Sequence, residues 1–357
     1  MEPRPFRFRR VRTSSVLARI LAVGIVSFGA ATAPTIASAD STTFSGQAYV
    51  VRATLTPPLL PAITVGPIAD TGQLPPQGGS LENSLLMLNV PNPVDGSTLL
   101  IGEVGHTSTI GQGDRSRSEA SVASISVKIV GNTISADFLM ARAMAVCGPS
   151  VSGSSELAKL VIDGQVVTVS GQPNQTIPLP GNAGSVVINE QSSNVSGGSG
   201  SIDVNALHVV VTGLADVVIS HAHADITCAG QPTCTGGDFL TGGGWINLPS
   251  GSRANFAVAG GIKNGALWGH LLYIDHGTDM KVKGTGVSMY GVGATPTTRH
   301  IEGTADISGS AGRYSVDAAD NGDPGRGVDS FGIKLSNGYN AGALLAGGNL
   351  QLHKPCQ

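Results

Sequence analysis

Short runs of β-branched and aliphatic residues, cut about every ten residues by glycine, asparagine or aspartate, fill most of this chain and leave little room for anything but strands. In the first half they cover 122–130, 133–138, 160–162, 166–169, 185–188, 207–211 and 217–226. In the second half they cover 242–248, 255–258, 267–274, 281–287, 300–307, 313–316, 331–335 and 349–353. Asp163-Gly164 and Asn264-Gly265 are two-residue hairpin signals, because both central positions tolerate positive φ, and Gly131-Asn132 reads the same way. This rhythm predicts an all-β protein built as two tandem sandwich or barrel-like domains. Eight prolines between 57 and 93 predict that residues 57–96 form a long irregular excursion between strands.

The first 39 residues have a different character. Six arginines lead into an apolar stretch, 20–31, and Ala37-Ser38-Ala39 supplies small residues for cleavage before Asp40. Residues 1–39 are therefore expected to be an export signal. Its removal takes six of 21 basic residues and one of 24 acidic ones, leaving 15 against 23 and a formal charge of −8. An acidic surface of that kind makes nucleic acid an unexpected partner. No later segment has the run of about 20 apolar residues that a membrane helix needs. The mature protein is expected to be secreted, either free or non-covalently held at the cell surface.

Four cysteines in an exported chain point to disulfides. Four allow three pairings; Cys147 with Cys228 and Cys234 with Cys356 is the favoured one, because each bridge then closes one module. Loops of this length give about 4–5 kcal/mol per bridge in the chain-entropy model. Composition changes at the same place. Residues 40–230 hold three aromatics, Phe44, Tyr49 and Phe138, whereas 234–357 hold nine. The expected domains are thus 40–228 and 234–357, joined by a short linker at 229–233.

Several linked strings carry a resemblance. Ala145-Val-Cys-Gly148, Gln172-Pro-Asn-Gln-Thr-Ile-Pro-Leu-Pro180, Val187-Ile-Asn-Glu-Gln191, Val204-Asn-Ala-Leu-His208 and the run from Asp216 to Cys228 resemble the choice-of-anchor P family of bacterial surface and secreted proteins. The stretch concerned is about 44–228. Thr241-Gly-Gly-Gly-Trp245, Ala254-Asn-Phe256 and Gly348-Asn-Leu-Gln-Leu-His353 resemble the domain that often follows it. The resemblance implies an exported β-rich bacterial protein with a structural, adhesive or binding role and no assigned activity. No sorting motif, apolar tail or basic stop segment precedes the final Cys356-Gln357, so release or non-covalent attachment is expected in place of covalent anchorage.

Three constellations could carry chemistry. His221, His223 and Asp225 alternate, so on a strand they share one face and could meet one transition-metal ion, as a metal-dependent hydrolase would need. The loop with Asp317, Asp320, Asn321, Asp323 and Asp329 offers oxygens and glycines to Ca2+, although Asp and Asn are also ordinary turn residues. Trp245, Trp268 and Tyr273 could stack on a sugar if exposed, making the protein carbohydrate-binding or glycan-modifying. A weaker set, His270, Asp275, His276, His300 and Glu302, could converge on a metal, although His270 alternates with Trp268 and Leu272 as a packed histidine would. No G-x-S-x-G string or phosphate-binding glycine loop occurs. No cofactor is required by these residues, Ca2+ is the one to test, and the expected partner is a cell-surface glycan or an extracellular protein.

Overall fold

The computed structural model describes residues 41–148, 150–229 and 237–354. These described residues form one compact unit. The export signal, most of the 229–233 linker and the Cys234–Cys356 pair lie outside the described residues. Thirteen strands come first: β1 (Thr43–Leu55), β2 (Ile63–Ile68), β3 (Gly79–Pro91), β4 (Thr98–Gln112), β5 (Arg115–Ile129), β6 (Asn132–Val146), β7 (Ser150–Ala158), β8 (Val161–Ile162), β9 (Gln165–Val166), β10 (Gln175–Pro178), β11 (Gly184–Ser196), β12 (Ser199–Val211) and β13 (Ala215–Thr227). Eight more follow: β14 (Phe239–Asn247), β15 (Arg253–Lys263), β16 (Ala266–Asp275), β17 (Met280–Val292), β18 (Thr298–Ile307), β19 (Ser310–Ala319), β20 (Ser330–Leu335) and β21 (Asn340–His353).

The first group makes two sheets packed face to face. One has the order β10-β11-β12-β13-β1-β2; the other runs β3-β4-β5-β6-β8-β9, with β7 also paired to β6. Their shared core is aliphatic and small, with Val50, Val122, Leu139, Ala141, Val204, Val217, Ile219, Ala222 and Ala224 all closed to solvent. Ser220, at φ 54°, interrupts strict alternation in β13. Val217 and Ile219 before it and Ala222 and Ala224 after it can then all face the core, which turns His221, His223 and Asp225 outward. A disulfide joins Cys147, just past β6, to Cys228, just past β13, with Cα atoms 5.7 Å apart, and so ties one sheet to the other.

The second group closes on itself as an eight-stranded antiparallel barrel, β14 to β21 in sequence order, with β14 pairing β21. Its interior is filled. Phe256 and Phe331 stack with ring centroids 3.9 Å apart, and Leu240, Val258, Leu271, Tyr273, Ile301 and Val316 complete a core with no exposed surface. Sequence rhythm predicted a sandwich or barrel here; seven of the eight predicted runs fall inside one barrel strand each, and the eighth, 242–248, overruns β14 by one residue.

Two local expectations are corrected. Residues 57–96 are not an unbroken irregular excursion, since they contain all of β2 and β3. Both strands lie at sheet edges, where a proline's missing N–H costs no ladder bond. The β5–β6 hairpin turns on Val130-Gly131, not Gly131-Asn132: Ile129 pairs with Asn132, and Val130 takes φ 45°. That register buries Val127, Ile129 and Ile134, while Asn132 sends Nδ2 back to the carbonyl of Val130 at 3.2 Å.

Candidate functional site

The barrel lies against the outer side of the seven-stranded sheet of the sandwich, meeting it along β3, β4, β5 and β7. Alternation along Arg115-Ser-Arg-Ser-Glu119 decides what meets what. Ser116 and Ser118 turn inward, where Ser116 bonds the carbonyl of Ser45 at 3.0 Å and Ser118 meets Thr109 at 2.6 Å. Arg117 and Glu119 turn to the barrel. Apolar contact fastens the seam at two places: Trp245 against Phe138 at 4.9 Å, and Leu272 and Ile274 against Val104. Gly347 allows the first, since a Cβ there would lie 1.7 Å from the Trp245 ring. Arg253 adds polar ties to Asp137 at 3.2 Å and Ser124 at 2.9 Å.

Between these fastenings lies a cleft of about 160 Å³, lined by Ser108, Arg117, Glu119, Arg142, Ser152 and Ser154 from the sandwich and by Thr241, Asp323, Gln351 and His353 from the barrel. A second cleft of about 180 Å³ shares Arg117, Gln351 and His353 with it and adds Arg115, Asp320 and Lys354. Burial pushes the Glu119 carboxyl up to about 8, against a smaller opposing pull from Arg142. Glu119 is therefore mostly a neutral acid at pH 7 and can donate a hydrogen bond. Burial, reinforced by Arg117, holds His353 well below the usual imidazole range, so the ring is neutral; Nε2 meets Thr241 Oγ1 at 2.9 Å and the ring stacks on Phe239 at 4.6 Å. Nε of Arg117 and Nη1 of Arg142 are buried without a hydrogen-bond partner, the latter 3.5 Å from Asp323. A cleft walled by two guanidinium groups, one with an unused N–H donor and the other set against the Asp323 carboxylate, and by a neutral carboxyl can hold an anionic group and the hydroxyls beside it.

Of these residues only Asp320 and Asp323 stood out in the sequence, as loop carboxylates and not as part of a cleft.

Asp323 lines the first cleft and Asp320 the second; the other sequence candidates are placed elsewhere. His221, His223 and Asp225 line the outer face of the six-stranded sheet. Nδ1 of His221 meets Asn205 at 2.7 Å and its ring stacks on Tyr49 at 4.5 Å; Nδ1 of His223 meets Asp203 at 2.9 Å. Burial pushes His221 down to about 4, whereas the bond to Asp203 raises His223. Both rings are thus engaged across to β12. In the 317–329 loop, Asp329 is fully buried and accepts the backbone N–H groups of Asn321, Gly322 and Leu350 at 2.7, 3.2 and 2.9 Å. Asp320 accepts the N–H of Leu352 at 2.7 Å, Asn321 Oδ1 takes the Thr297 hydroxyl at 2.8 Å, Asp323 faces Arg142, and Asp317 meets His300 at 2.7 Å. Among the described residues no group of three or more His, Cys, Asp or Glu is arranged to hold a metal ion.

The aromatic trio does not share a surface. Trp245 lies in the seam, Trp268 packs on Phe239 at 5.6 Å, and Tyr273 points into the barrel, its hydroxyl 2.7 Å from that of Tyr339. The weaker histidine set is dispersed too. His276 meets Asn255 at 2.9 Å, Asp275 takes the Tyr339 hydroxyl at 3.0 Å, and His300 lies between Asp317 and Glu302. His270 instead reaches across the seam to Glu82 and Ser84.

No protein-family model and no curated protein matches the chain. Among solved structures, a Nitrosomonas europaea protein with the provisional designation AttH aligns with 88% of this chain and 93% of its own at 10% identity, with a TM-score of 0.20, too low to compare the folds. Among the described residues no helix is long and apolar enough to cross a membrane.

Proposed function

We propose that the protein works outside the cell as a binding protein, and that the seam cleft is its ligand site. The ligand is a small molecule carrying an anionic group together with hydroxyls. The observation that carries this reading is the buried Nε of Arg117, which has no hydrogen-bond partner, at one cleft with the neutral acid Glu119 and with Nη1 of Arg142, which makes no hydrogen bond and has only the Asp323 carboxylate at 3.5 Å. A buried donor without a partner costs about 1–3 kcal/mol, more when charged, and an anion would recover that cost. Export rests on the N-terminal signal in the sequence, and the family resemblance supports a binding role.

Thermal melts with glucuronate, succinate and sulfate test it. At least one of the three is expected to raise the melting temperature saturably, by the stabilisation that mass action gives, about 2.7 kcal/mol at a hundredfold excess over Kd. Arg142→Gln should remove that rise. A melting curve unmoved by all three anions, or a rise that survives Arg142→Gln, would contradict the proposal.

A further inference from the structure

A second cluster at the seam has the geometry of a nucleophile with its base. Glu82 and Ser84 are two residues apart on β3 and leave it on one face, while His270 reaches them from β16. Oγ of Ser84 is 2.7 Å from Nε2 of His270, and Nδ1 of that ring is 3.1 Å from Oε1 of Glu82. His106, directly opposite Ser84 on β4, brings its own Nδ1 to 3.0 Å from the same hydroxyl.

Proton positions follow from what each group can donate. His106 is closed to solvent and burial keeps it neutral, so it carries one N–H, and its Nε2 has no partner. With the proton on Nδ1 the unmet atom is an acceptor, which is less costly to bury than an unmet donor. Ser84 then accepts from His106 and donates to Nε2 of His270, whose own proton sits on Nδ1 and goes to Glu82. That is the tautomer a general base needs.

We propose that Ser84, His270 and Glu82 are the nucleophile, base and orienting carboxylate of an acyl-transfer site that acts on small esters. Ser84 Oγ attacks the ester carbonyl as its proton passes to Nε2 of His270. The Oγ–C bond forms, the bond to the leaving alcohol breaks, and His270 returns the proton to that alcohol. Water then attacks the acyl-serine, gives a proton to His270 and releases the acid, and Ser84 recovers its proton. Two observations separate this set from a network that only holds the seam together. Oε2 of Glu82 and Nε2 of His106 are buried without partners, where a structural network would be satisfied. The side chains of His270 and Glu82 keep 19% and 18% of their surface, so a small substrate can reach the base. A nucleophile and a base brought together from two strands, β3 and β16, also explain why no nucleophile motif marks the sequence. This site is independent of the anion cleft, and neither stands or falls with the other.

The test uses the folded mature protein, a fluorophosphonate probe with peptide mapping, and 4-nitrophenyl acetate hydrolysis. One adduct is expected, on the peptide containing Ser84, and Ser84→Ala should abolish it without lowering the melting temperature. His270→Gln should slow labelling and ester hydrolysis by about 100-fold or more. Glu82→Gln keeps the shape of the contact, so its slower labelling cannot be ascribed to a loosened seam. An unlabelled wild-type protein, an adduct on another residue, or equal labelling of Ser84→Ala would overturn the proposal.

Discussion

The inside of the barrel and the seam beneath it are both shielded from water, yet they are built by opposite rules. The barrel interior is apolar and aromatic, with Phe256 stacked on Phe331, and the tyrosine hydroxyl that enters it, that of Tyr273, is partnered by Tyr339. The seam buries Glu119, His106 and His353, and with them Nε of Arg117 and Nη1 of Arg142, neither of which makes a hydrogen bond. A closed barrel of this size is filled by its own side chains. The contact between two β units has no such demand, and this is where buried charge and reactive groups collect in this molecule. Polar atoms left unmet there mark positions where stability is not what the residues provide.

The largest effect expected from breaking this contrast is in the barrel. Phe331→Ala should cost about 3–5 kcal/mol, read as a lowered denaturant midpoint, because its ring is closed to solvent and stacked. Cutting the staple of the sandwich by Cys147→Ser with Cys228→Ser should cost about 4 kcal/mol for a separation of 81 residues, and a reducing melt of the wild type should show the same drop.

The seam should answer to pH. An ordinary glutamate titrates near 4.5, and Glu119 holds its proton to about 8. Between those values the folded state binds more protons than the unfolded one, so this group's contribution to stability falls as pH rises. Glu119→Gln should remove that slope, gaining about 1–3 kcal/mol on the wild type between pH 5 and pH 8 in paired denaturant titrations. His106 and His353 act in the other direction: both are held below the ordinary 6.5, so the stability they allow is present above that value and is lost as pH falls below it. The smallest effect belongs to the exposed stripe. His223→Gln should change stability by less than about 1 kcal/mol, because its partner Asp203 is half open to solvent.

Much of the fold was legible. Alternating β-branched runs and their turns place the eight barrel strands and the hairpins at Asp163-Gly164 and Asn264-Gly265, and export with cysteine position anticipates the Cys147–Cys228 bridge. Val130 was not legible as a turn residue, because the demand of the core for Ile129 and Ile134 outweighs the local preference of a β-branched side chain. The seam was illegible for a different reason. Arg117 and Glu119 on β5, His353 on β21, and Ser84 and His270, 186 residues apart, are joined only when two β units meet. Spacing rules see residues that are close along the chain, so they singled out His221-Ala-His223, whose rings are engaged by Asn205 and Asp203 on β12.

The most direct test of the seam account is the side-chain NMR signal of Nε–Hε in Arg117 and Arg142, followed with 15N-labelled protein as glucuronate, succinate or sulfate is added. The account predicts that at least one of these anions shifts the Arg117 and Arg142 signals saturably, while methyl signals of Leu271 and Ile301 inside the barrel stay fixed. Arginine signals that do not move with any of the three, or shifts centred on the barrel interior, would contradict it.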